Sequence, residues 1–396
     1  MVAAISAARS GAEVVLFERM NRVGKKLLAT GNGRCNLTNA DCRVSRFHGG
    51  NQAFIAAVIA QFPLPDTLAF FEGLGIACKT EEEGKIYPHS DQASAVLEVL
   101  RYELEQLNVT VVVEADISAV IPGGTGFVLQ AHDGRQFTAS RVILAAGGRA
   151  GPQFGSNGSG YRLAQPLGHR LVEPLPGIVS LRLDAAFLPR LKGVKFVGRV
   201  EARAGEDVLR REAGEILFTD YGISGPPVLQ VSRAVMAALT MHQAPTISLD
   251  LFPDVELEQL DAALEERFTR QGQKPLAMGL VGLLNKRVIP VALAESAIRD
   301  QSQPCATLHA ADRKRLSALL KDWTFRVTGS QSWHDAQVSA GGISVDDVNA
   351  ESLESRRQPG FYLCGEVLDV DGDCGGFNLQ WAWSSGWVAG RHAACR

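Results

Sequence analysis

The chain has 396 residues, 46% of them hydrophobic and 21% charged, with a formal net charge of -3. That length is too great for one compact domain and supports two cores, while the near-neutral charge excludes a general field that would draw the protein onto nucleic acid or a membrane. Seven cysteines, at positions 35, 42, 78, 305, 364, 374 and 395, form no C-x-x-C pair, so neither a disulfide framework nor a metal site is expected, and reduced thiols in a cytoplasmic protein are the simplest reading. No run of about 20 apolar residues is read as a membrane span, and residues 2–10 lack the basic flank of a signal peptide.

Val2 to Arg9 reads as a helix of small residues stopped by Gly11. Residues 13–17 then read as a buried strand, with Glu18 at its C-terminal end. A small-residue helix entering a buried strand that ends in an acid is the second half of a βαβ dinucleotide-binding unit. The first half, a strand and a G-x-G-x-x-G turn, belongs about 20 residues before the acid. Counting back from Glu18 lands just before Met1, so that turn is expected upstream of the given sequence.

Residues 31–39, Gly-Asn-Gly-Arg-Cys-Asn-Leu-Thr-Asn, form a loop too polar and too rich in special backbone residues for a core strand. Gly31 and Gly33 let backbone N–H groups approach a ligand closely. Arg34 can pair with phosphate, and Asn36, Thr38 and Asn39 supply short hydrogen-bonding arms. Residues 94–107 read as an amphipathic helix. Strands follow at 109–113, 117–121 and 127–130, with turns at Gly123-Gly124 and Asp133-Gly134. Residues 141–148 are a strand running into Gly147 and Gly148, and 155–161 is a further flexible, ligand-facing stretch.

The texture changes from about residue 180 to 322. Short strands are expected at 180–183, 193–202, 215–219 and 246–251, then helices at 255–270, 276–288, 290–300 and 308–323. This reads as an inserted domain, 181–323, splitting a first domain of 1–180 and 324–396. Within the insert, residues 190–212 carry seven basic and four acidic side chains, more often a solvated face than a nucleic-acid site.

Near the C-terminus, Gly372, Gly375 and Gly376 precede Asn378 and a helix from about Leu379. Glycines before a helix leave its N-terminal N–H groups free to face an anion, which the positive end of the helix favours. Asp369, Asp371 and Asp373 alternate like a calcium loop, but no bidentate Glu arrives at the twelfth position, so calcium is not expected. Among possible proton donors, Cys35, His89 and His334 are weak candidates, each more readily explained as structural.

Taken together, Glu18 to Asn39 (E-R-x-N-R-V-G-K-K-L-L-A-T-G-N-G-R-C-N-L-T-N), Ala145 to Gly148, Phe218 to Pro226, Ala340 to Ile343 and Gly365 to Gly386 resemble the HI0933-like flavoproteins. That group includes the BaiN-type NAD(P)/FAD-dependent oxidoreductases. The resemblance spans nearly the whole chain in collinear order. It implies an α/β FAD-binding Rossmann-like domain of glutathione-reductase type, here without its first strand and Gly-rich loop, and an inserted small β-barrel plus helical domain. It also implies Glu18 on ribose, with Lys25, Gly31, Gly33, Arg34, Cys35, Asn36, Thr38, Gly147, Gly148, Gly365, Glu366, Gly375, Gly376 and Asn378 around FAD. The expected activity is NAD(P)H-driven hydride transfer through the flavin to a conjugated C=C bond of a small molecule. Two alternatives stand: flavin-dependent reduction of uridine to dihydrouridine in ribosomal RNA, and a flavin-free binding remnant. Substrate, proton donor and oligomeric state are left open.

Overall fold

A computed structural model describes residues 1–124 and 126–395. The chain divides into two compact units, Met1–Pro176 with Trp333–Arg396, and Gly177–Ser332.

In the first unit, helix Val2–Arg9 is short because Ser10 leaves the helix and Gly11 takes φ +89°. Its small residues let it lie close against the C-terminal helix Phe377–Ala394. A Cβ on Gly390 would stand 2.2 Å from the Ala3 carbonyl oxygen, and Ser6 Oγ donates to the Trp387 carbonyl at 2.7 Å. Strand Val15–Phe17 pairs in parallel with Thr110–Val112, and Val142–Leu144 pairs in parallel with Phe361–Leu363. Between these pairs in sequence lies the expected antiparallel meander: Ile117–Gly123, Gly126–Ala131 and Gln136–Ala139. Helix Ala93–Gln106 buries Val96, Leu97, Leu100 and Leu104, the stripe its periodicity calls for.

Residues 52–73 form an apolar stretch with a mean hydropathy of 1.6 over its best window. Proline cannot continue a helix interior, and the chain breaks at Phe62-Pro63 into helices Gln52–Gln61 and Leu64–Gly73. Each is about 15 Å long, half of what a bilayer core demands.

The second unit is a closed barrel. Its strand order is Leu181–Leu183, Gly222–Ser224, Asp207–Phe218, Lys195–Ala204, Pro245–Asp250 and Trp323–Ser330, antiparallel throughout. Val200, Ile216, Ile223, Ile247, Leu249 and Trp323 fill it, with helices Leu257–Arg270, Val288–Glu295 and Ala310–Lys321 packed into the same core. The last strand, 323–330, closes the barrel and therefore lies with this unit, not after it. The expected helix 276–288 shrinks to one turn, Leu276–Gly279, because Gly282 takes φ +86° and Asn285 turns the chain by accepting from Arg287 N–H. The helix expected at 290–300 runs Val288–Glu295 instead, ending before Ala297 at φ +60°. Helix Pro226–Thr240 was not expected; its two prolines occupy the first turn, where a missing N–H costs nothing, and Val228, Val231 and Val235 face the core.

Candidate functional site

The site is built where two distant loops of the first unit meet. The 31–39 loop takes positive φ at Gly31 (+55°), Asn32 (+55°), Gly33 (+86°) and Cys35 (+61°), a coil that L-residues adopt only when surroundings hold them there. Thr38-Asn39 then pairs with Lys85–Pro88, and Trp383 Nε1 donates to the Leu37 carbonyl at 2.9 Å. Beneath the loop runs a buried polar chain. Thr38 Oγ1 donates to Gln380 Oε1 (2.6 Å), and Gln380 Nε2 donates to Thr67 Oγ1 (2.7 Å) and Ser384 Oγ (2.9 Å).

The 372–378 turn closes against this loop. Asn378 braces it, accepting from Gly372 N–H and donating back to the Gly372 carbonyl, both at 2.8 Å. Asn39 Nδ2 donates to the Gly375 carbonyl at 2.9 Å. Gly376, at φ +101°, caps the C-terminal helix with no side-chain hydrogen bond. A Cβ there would lie 2.4 Å from the Thr38 carbonyl oxygen, so only glycine lets the two loops touch. Beside this contact Asn36 Oδ1 is buried with no hydrogen-bond partner among the described residues. An uncapped helix N-terminus beside an unpaired buried amide oxygen is a cradle for a ligand that carries both acceptors and a donor.

A second cluster joins Gly148 to Glu366, while Gly147 lies beside Ser156. Ser339 Oγ accepts from the N–H groups of Arg149 (2.7 Å) and Ala150 (3.0 Å), and Ser339 N–H donates to Glu366 Oε1 (2.9 Å). Lys26 Nζ pairs with Glu366 Oε2 at 2.7 Å and donates to the Ala150 carbonyl at 3.0 Å. A Cβ on Gly148 would meet Ser339 Oγ at 2.4 Å. Gly365 N–H donates to Ser385 Oγ at 2.9 Å, which ties the turn to the C-terminal helix.

Glu18 sits at the end of its strand as the sequence implies, accepting from Met20 N–H at 2.8 Å. Burial raises its carboxyl pKa, while the Met20 N–H, Arg19, the Met1 amine and Lys25 pull it back. The Met1 amine is itself buried, which lowers its pKa, and it faces Cys364 and Glu18. The first helix thus starts at the C-terminal ends of strands from both parallel pairs, the end of an open α/β sheet where ligands bind.

Other candidates fall differently. Arg34 was expected to offer its charge to phosphate; it stacks on Tyr87, 4.1 Å from the ring centroid, and is paired with Glu81 and Asp91. Cys35 is fully buried, and burial pushes its thiol up to about 12, so it packs as a neutral group at ordinary pH. His89 and His334 are both exposed. Sequence reasoning missed Lys26, which pairs with Glu366 where its neighbour Lys25 was chosen. It also missed His48, whose Nε2 lies 2.7 Å from Asp373 Oδ1. No local motif marks either; both partners come from the far end of the chain.

Two glycine-opened loops, a helix N-terminus between them and an acid at a strand end define a Rossmann-type flavoprotein oxidoreductase. The chain belongs to the HI0933-like protein family, matching its Rossmann domain over residues 1–392. It is 41% identical over 398 aligned residues to a 3-dehydro-bile acid delta(4,6)-reductase of Clostridium scindens, covering 100% of this chain and 97% of that protein. It is 30% identical to a ribosomal RNA dihydrouridine synthase of Escherichia coli, covering 96% and 92%. Among solved structures, a 3-ketosteroid delta1-dehydrogenase from Sterolibacterium denitrificans shares the fold at 13% identity with a TM-score of 0.51, covering 99% of this chain and 97% of that one.

Proposed function

We propose that this protein holds FAD in the cleft between the 31–39 loop and the start of the C-terminal helix, in a domain of glutathione-reductase type, and reduces a conjugated C=C bond of a steroid-like enone with NAD(P)H as the reductant. The observation that carries the reading is the seating of the Thr38 carbonyl against Gly376, which brings the uncapped helix N-terminus beside the buried, unpaired Asn36 Oδ1. The relative at 41% identity, a bile-acid reductase by name, supports the enone substrate. When bound, FAD supplies the hydride through its N5 atom. The protein's own contribution is binding and polarity. Glu18 accepts hydrogen bonds from ribose hydroxyls. The helix N-terminus places positive partial charge where anionic charge develops, and Asn36 Oδ1 can accept a hydrogen bond that nothing among the described residues supplies.

The test is to purify the protein, record its visible absorbance, and follow NADH and NADPH oxidation with and without a 3-keto-4-ene steroid. A yellow protein giving product two hydrogens heavier is the expected result. A colourless protein that binds no FAD overturns the reading. The dihydrouridine synthase relative motivates a second reading, with RNA as substrate. In its disfavour, several basic side chains of 190–212 are already paired: Arg203 and Arg211 with Glu201, Arg210 with Glu212, Lys192 with Asp220 and Lys195 with Glu215. Salt-sensitive binding of ribosomal RNA with no enone turnover would favour it.

A further inference from the structure

We propose that His48 is the proton donor of this site, held in one tautomer by Asp373; the assignment rests on the enone-reductase reading above. His48 lies on strand Phe47–Gly49, antiparallel to Val370–Gly372, the strand that leads into the 372–378 turn and the C-terminal helix. Its Nε2 is 2.7 Å from Asp373 Oδ1. The Asp373 side chain is 5% exposed and that of His48 26%, so the carboxylate is the inner member and the ring the accessible one. Asp373 is fixed in turn: its N–H donates to the Arg46 carbonyl at 2.9 Å, and Arg46 Nη1 reaches its Oδ2 at 3.4 Å. Phe47 and Arg46 both pack on the Phe377 ring, with centroid distances of 5.9 and 5.8 Å. The dyad is thereby anchored to the first residue of the helix that opens on the cleft.

A carboxylate on one ring nitrogen keeps that nitrogen as N–H and leaves the other, Nδ1, to exchange a proton with substrate. The charged groups around the ring are Asp373, Asp371 opposite it on the neighbouring strand, and Arg46, itself paired with Asp41. His89 and His334, by contrast, are exposed.

The balance of the step is simple. Hydride, originating from the nicotinamide reductant, adds to the β carbon of the enone, and the π electrons move onto the carbonyl oxygen as an enolate. The enolate α carbon then takes the proton of the His48 imidazolium: the Nδ1–H bond breaks, a C–H bond forms, and the neutral imidazole regains a proton from water. Asp373 exchanges no proton with the substrate and acts as a positioning residue.

The experiment uses His48→Gln, His48→Asn and Asp373→Asn, each checked for folding by circular dichroism. Photoreduced protein is mixed with a 3-keto-4-ene steroid and flavin reoxidation is followed across pH. His48→Gln and His48→Asn are expected to slow reoxidation by about 10²–10⁴-fold, with flavin content unchanged, and to change the pH dependence of that rate. In ¹⁵N NMR, the neutral His48 ring of the wild type is expected as the Nε2–H tautomer, with Asp373→Asn mixing the two tautomers. Reoxidation and pH dependence unchanged in both His48 variants, or an Nδ1–H tautomer in the wild type, would overturn the donor role alone. A wild type that no enone reoxidises would overturn the reductase reading and the donor role with it.

Discussion

The barrel and the loop cleft are stabilised by different physics. The barrel interior is aliphatic and aromatic, with Val200, Ile216, Ile247, Leu249 and Trp323 at 2% exposure or less, so its stability follows buried area and packing. The floor of the cleft is a buried hydrogen-bond chain through Thr38, Gln380, Thr67 and Ser384, closed by a glycine contact that no side chain could replace. Interactions of that kind are directional, and they tolerate substitution less well than their buried area suggests. The barrel is a place to be filled; the cleft is a place to be aimed.

The sharpest way to break this contrast is Gly376→Val. Its Cβ would strike the Thr38 carbonyl at a φ that valine avoids, costing about 3 kcal/mol from backbone strain before the clash is counted. The variant is expected to lose its flavin absorbance and to melt earlier. Leu249→Ala in the barrel is expected to cost about 3 kcal/mol of stability by urea unfolding, yet to leave flavin bound per folded molecule unchanged. Loss of flavin in this variant would erase the distinction between the regions. Gln380→Leu removes four buried hydrogen bonds while keeping an apolar side chain of similar size. It is expected to cost about 2 kcal/mol and to weaken FAD binding, whereas an equally stable variant would show that the polar chain is dispensable.

Smaller effects come from single titrating groups. His169 is buried, with Nδ1 donating to the Ala164 carbonyl and Nε2 accepting from Ser355. Burial lowers its pKa below the ordinary 6.5, partly offset by Ala164 and Asp347. The unfolded chain therefore takes up the proton first as pH falls. The stability this ring contributes is complete above about pH 6.5 and drains away below it, at most about 1.4 kcal/mol per pH unit. Urea midpoints at neutral and mildly acidic pH should show that slope in the wild type and less of it in His169→Gln. Last, Cys35 should resist iodoacetamide in the folded protein because its thiol titrates near 12, while exposed Cys395 reacts; mass spectrometry locating label first on Cys35 would contradict this.

Much of the first unit was legible in the sequence because its signals are local. The small-residue helix before Gly11, the strand ending at Glu18 and the meander with its Gly and Asp-Gly turns each announce themselves within about a dozen residues. Both halves of the cleft were likewise visible as glycine-rich loops. Their meeting was not, because Thr38 and Gly376 are brought together by tertiary packing alone. The His48–Asp373 pair, 325 positions apart, and the Lys26–Glu366 pair, 340 apart, were hidden for the same reason. In the barrel, helix Pro226–Thr240 was masked by prolines that read as a loop but cap a first turn. The 276–288 segment read as helical from its apolar spacing, and Gly282 and Asn285 overruled it. The apolar run 52–73 was overlooked as a unit, and Pro63 cuts it in two.

The central claim is that the 31–39 loop and the start of the C-terminal helix together hold FAD. Calorimetric titration of FAD into flavin-stripped wild type, Leu249→Ala and Gly376→Val tests it most directly. Stoichiometric binding by the first two and none by the third is expected. Equal binding by Gly376→Val, or no binding by the wild type, would contradict it.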